Sequence, residues 1–152
     1  SAYKLPKNAV AAQEVGHVMT QSLWGFIPKT NNYALLIDEG FNYFIDDNSF
    51  YTESLLESTK KLHQKNPVDI TQLINANNGQ RTKGVSAGSH KVNESKIAGA
   101  FVQYLIKKYG KDKFGQLWKK ATLKEYADTI IFKEIYGKTI EELNVDFIIT
   151  LN

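Results

Sequence analysis

The chain has 152 residues, 42% of them hydrophobic, enough apolar material for one domain with its own core. A formal charge of +3 with a sequence pI near 8.9 is too mild to point to nucleic acid. No cysteine is present, which excludes disulfides, thiolate metal sites and a cysteine nucleophile.

In chain order, the pattern reads as helices with no convincing strand. Asn8 to Trp24 forms the first, stopped near Gly25 and Pro28. The segment ALLIDEGFNYFID is a second, rich enough in apolar and aromatic residues to be buried. Leu55, Leu56, Thr59, Leu62 and His63 follow helical spacing until Pro67 breaks it. Asp69 and Gln72 resemble a capping box for a short helix ending near Asn77-Asn78-Gly79. From Asn77 to Val92 the segment NNGQRTKGVSAGSHKV has few apolar residues and reads as a long loop, a feature often tied to function.

The last third is the most periodic. Ile97, Phe101, Tyr104, Leu105 and Lys108 mark a long helix, with Asn93 as its N-cap and Gly110 just past its end. KDKFGQLWKKA and EYADTIIFKEIYG add two more. Thr139 with Glu142 caps a final helix whose Ile140, Leu143, Phe147, Ile148 and Leu151 turn inward. The expected architecture is one all-α domain over residues 1–152, of six to seven helices, with no substantial sheet.

Chemistry centres on Gln13-Glu14-Val15-Gly16-His17, one letter from the zinc-peptidase helix H-E-x-x-H. Gln13 and His17 stand four apart on one helix face, with Glu14 beside them. In zincins two imidazoles at this spacing hold the ion, and the intervening Glu takes a proton from the metal-bound water. Glu39, on the following helix, is the candidate third ligand.

Further segments carry a resemblance to gluzincin metallopeptidases. ALLIDEGFNYFID resembles their W-L-x-E-G-x-A-x-Y segment, AGAFVQYLIKKYGKDKFGQLW their A-x-x-F-V-x-Y-L-x-x-x-Y-G helix, and YGKTIEELNVDFI their closing G-x-x-x-E-E-L segment. The matches run in order from about Val10 to Leu151. The resemblance implies a helical lobe carrying a zinc site, with His17 and Glu39 as ligands, Glu14 as general base and Gln13 in the position of the first histidine.

This chain departs from the family pattern at three points. An amide oxygen at Gln13 is a weak neutral ligand where zinc favours imidazole. Ser95 stands where the family often has a tyrosine that can donate to the transition state. The family also lays substrate along a sheet preceding the metal helix, and the residues before Gln13 leave no room for one. The expectation is either the C-terminal part of a longer chain or a domain without its peptide cleft. Zinc is then weakly bound or absent, and peptide hydrolysis weak or lost. The alternative is a non-catalytic module that binds a peptide, glycan or protein on the same fold. A network in which Gln13, Glu14, His17 and Glu39 hydrogen-bond one another competes evenly with weak metal binding.

The remaining candidates have plainer readings. His90, in the Gly-rich loop, could serve as a replacement ligand or oxyanion donor, although a lone loop histidine is usually solvated. His63 reads as a partly exposed helix residue. Between Lys107 and Lys124 seven lysines face one aspartate, with Tyr109, Phe114 and Trp118 interleaved. The rings fit buried helix sides, so this reads as a solvated basic face rather than a nucleic-acid or membrane surface. No apolar run approaches the roughly 20 residues of a membrane span. A leader removed from the start would place the protein outside the cell or on its surface; the sequence itself assigns no compartment.

Overall fold

Helix α1 (Lys7–Trp24) ends at Gly25, whose φ of +97° suits a residue without a Cβ and whose N–H caps the Gln21 carbonyl at 3.0 Å. The computed structural model describes residues 7–27, 34–46, 53–74, 87–123 and 130–152, without the side chains of residues 7–13, 17, 34 and 87–91. Every regular element among these residues is helical, as the sequence pattern predicts.

The second predicted helix is two conformations in series. A π-helical turn (Ala34–Glu39) runs directly into α2 (Gly40–Asp46). Leu35, Leu36, Ile37 and Asp38 are consecutive and all buried, so this turn is enclosed on every side instead of presenting one stripe. Single π turns of this kind recur at functional positions, and here Glu39 is its last residue.

Helix α3 (Leu55–Lys65) starts where the Ser54 hydroxyl accepts from the Glu57 N–H. Its predicted surface histidine, His63, is half-buried and Nδ1 accepts from the Val68 N–H at 3.0 Å, closing the turn after Pro67. The expected Asp69–Gln72 capping box does not form. Asp69 Oδ1 instead accepts from the Thr71 N–H and hydroxyl, an Asx-type turn that opens the short α4 (Thr71–Ile74). The predicted end of that helix, at 77–79, lies outside the described residues.

Helix α5 (Ala87–Tyr109) corrects the loop reading over 87–92, which its first turns occupy, so Asn93 is an exposed residue inside the helix rather than its N-cap; positions 77–86 of that loop lie outside the described residues. Gly110 ends it as expected, with φ +90° and its N–H on the Ile106 carbonyl, and α6 (Lys111–Ala121) follows at once. Helix α7 spans Ile130–Tyr136, and α8 (Ile140–Ile149) opens with the predicted capping box: the Thr139 hydroxyl accepts from the Glu142 N–H, and Glu142 accepts from the Thr139 N–H. The described residues thus hold eight α-helices and the π turn, against the six to seven helices expected.

The core is organised around α5. Ala98, Phe101, Val102 and Leu105 meet Leu35 to Ile37 of the π turn, Phe114, Leu117 and Trp118 of α6, and Ile140, Leu143 and Phe147 of α8 in one apolar cluster. Each fully buried phenylalanine contributes roughly 2 kcal/mol. As predicted, Phe114 and Trp118 are wholly buried and Tyr109 partly so, leaving the lysines of α6 on the outer side.

Candidate functional site

The helix bearing the Gln-Glu-x-x-His pattern packs against the segment bearing Glu39 because Gly16 removes a side chain at their contact. A Cβ there would come within 2.5 Å of Asn42 Oδ1 and 2.7 Å of Ile45 Cδ1. Thr20, one turn on, is buried and donates its hydroxyl to the Gly16 carbonyl at 2.8 Å. Trp24 completes the seam, with ring centroids 5.3 Å from Phe41, 6.1 Å from Phe114 and 5.6 Å from Trp118. The Trp118 indole N–H donates to the Gly25 carbonyl at 2.9 Å and ties α6 to the end of α1.

The helical register sets positions 13 and 17 beside Gly16 and Thr20. The side chains of Gln13 and His17, and hence their expected ligand roles, lie outside the described residues. Glu14 is exposed, and Glu39 is half-buried where the π turn meets Gly40. Ser95 is buried on α5 (2% exposed), so its short hydroxyl belongs to the interior and not to an open cleft. His90 stands on the first turns of α5, correcting its assignment to a Gly-rich loop; its side chain is outside the described set.

From the end of the π turn along α2, a buried polar stripe emerges that the sequence reading missed. Asp38, Asn42 and Asp46 are spaced i, i+4 and i+8, all buried, and the Asn42 amide donates to the Asp38 carbonyl at 2.8 Å and to Asp38 Oδ1 at 3.2 Å. The signal was available: Asp38, Asn42 and Asp46 recur at helical spacing in a segment whose other residues, Glu39 apart, are mostly apolar or aromatic. Asn42 faces Gly16, so Asn42 is the polar group that α2 presents to α1 at this contact.

Beyond its packed face, α1 exposes an apolar one. Val15, Val18, Met19 and Leu23 are exposed, Leu23 by 69% and Val18 by 63%, at spacings that keep them along one side of the helix, and Phe26 just past its end is exposed too.

A zinc site of the peptidase kind needs two imidazoles and a carboxylate, and position 13 supplies an amide. Among the described residues, which leave out the side chains of Gln13 and His17, no group of three or more His, Asp or Glu side chains is gathered to hold a metal. Comparison with known proteins finds no matching family model, no matching curated protein and no matching solved structure.

Proposed function

We propose that this chain is a metallopeptidase-like helical domain whose degenerate Gln13-Glu14-x-x-His17…Glu39 site hydrolyses peptides weakly or not at all. The observation that carries this reading is the direct packing of α1 on α2 through Gly16 and Asn42, with Glu39 immediately ahead of α2. It joins the two segments whose order and residues resemble the zinc-binding pair of gluzincins. Weak activity follows from Gln13: removing even an outer-shell partner of a metal ligand costs roughly 10 to 100-fold, and here an inner ligand is changed. The test is incubation of the chain with excess zinc and a broad peptide library. No turnover is expected, and chelator-sensitive cleavage abolished by Glu14→Gln overturns the inactive assignment.

One observation favours the second reading, a non-catalytic module for a peptide or protein partner. The exposed apolar side of α1 is the kind of surface that marks an interaction site. Substituting Val18 and Leu23 with Ser then leaves the fold intact and removes binding to any partner captured by this helix.

A further inference from the structure

A groove of about 490 Å³ lies between α5 and α8, on residues that neither α1 nor α2 contributes. Its volume falls within the range of small-molecule pockets, roughly 300 to 1,000 Å³. Its two walls differ in chemistry. Leu56, Ala100, Phe147 and Ile149 supply an apolar surface, and Tyr104, Lys107 and Lys108 supply hydrogen-bond donors and positive charge.

The charges are not balanced. Asp146, the groove's carboxylate, accepts from Lys108 at 3.2 Å and from Lys138 at 2.5 Å. The groove's lining therefore holds two lysines, Lys108 and the exposed Lys107, against one carboxylate, which Lys138 also contacts from outside the lining. The Tyr104 hydroxyl accepts from Lys108 at 3.2 Å and donates to Asp146 Oδ2 at 3.5 Å, so it holds Lys108 and Asp146 together at the polar end of the groove. From Ala100 to Lys108 the helix rises about 12 Å, at about 1.5 Å per residue, the reach of a medium-length alkyl chain.

We propose that this groove binds a single-chain amphiphile with an anionic carboxylate head, the head on Lys107 and Lys108 and the chain along Leu56, Phe147 and Ile149. The lysines supply charge-assisted hydrogen bonds, and the apolar wall supplies burial that a short anion cannot use. The proposal concerns a dissolved molecule, not a membrane surface.

Calorimetric titration of the full chain with monomeric decanoate tests it. Saturable binding is expected, with acetate and uncharged decanol each weaker by at least about tenfold. Lys107→Glu and Ile149→Asp each weaken decanoate binding by at least about tenfold; both positions are exposed, so thermal unfolding should confirm that each variant remains folded. Equal binding of decanol, unchanged binding in either folded variant, or association only with phosphatidylglycerol vesicles and not with monomeric decanoate overturns the proposal.

Discussion

Gly40 lies against the backbone of Ala98: a Cβ at position 40 would sit 2.9 Å from both the carbonyl carbon and oxygen of Ala98. The contact is reciprocated one residue on, where a Cβ at Gly99 would meet Tyr43 Cβ at 2.8 Å and Leu55 Cδ1 at 2.9 Å. Two helices approach this closely only where side chains are missing, and backbone cannot give way as a flexible side-chain end can. Gly40→Ala should therefore destabilise by about 1 to 3 kcal/mol through overpacking. Urea unfolding measures this as a lower midpoint with an unchanged slope. Glu14→Gln, on the exposed side of α1, should leave the midpoint within about 0.5 kcal/mol.

Trp24 is the ring that holds α1 to α2 and α6. Trp24→Ala should cost about 2 to 4 kcal/mol, somewhat below the range for a fully buried aromatic because Trp24 is only partly buried. Hydrogen exchange should show the loss locally, with the amides of α1 exchanging faster than those of α5, since α5 keeps its other neighbours.

Lys138 first, and Lys108 second, hold the Asp146 carboxyl below its ordinary value of 3.8 by hydrogen bonding to its charged form. A depressed folded-state value means that the unfolded chain binds the proton more readily. The stabilisation is therefore present above about pH 4 and lost as pH falls through the lower folded value. Thermal midpoints of the wild type and Asp146→Asn, followed from neutral pH downward, should differ at neutrality and converge in acid.

Burial holds the Tyr104 hydroxyl up to about 12, and burial followed by the neighbouring Tyr109 raises Tyr136 further. Both groups favour their neutral form in the folded state, so the stability they contribute is full below pH 10 and declines as pH rises through the folded values. Absorbance titration should show part of the tyrosine signal appearing late. Tyr104→Phe should remove one of those late steps.

Gln13→His would place two imidazoles four residues apart on α1, with Glu39 the candidate third ligand. Zinc affinity measured by calorimetry at neutral pH should rise by at least about tenfold over the natural sequence, and EDTA should reverse it. An unchanged affinity means that Glu39 does not reach the face bearing positions 13 and 17. That result would count against the metallopeptidase reading itself.

Local rules carried much of the fold. The Thr139–Glu142 box, the Gly110 stop and the inward stripe of α8 each depend on residues within a turn or two of one another, so spacing alone reveals them. Even so, Ile148 is only partly buried, because neighbours and not periodicity set the depth of burial. The start of α5 reads as loop in the sequence because 87–92 has weak helical composition, and the helix there is not set by local propensity. At the candidate site, the sequence by itself determined which donors exist: an amide at 13, an imidazole at 17 and carboxylates at 14 and 39. Only the tertiary structure decided that Glu14 is exposed, that Ser95 is interior, and that Asp38, Asn42 and Asp46 are buried with Asn42 against Gly16. It also decided that Tyr104, Lys108 and Asp146 meet, since residues 104 and 146 are brought together by the packing of two helices and by nothing local to either.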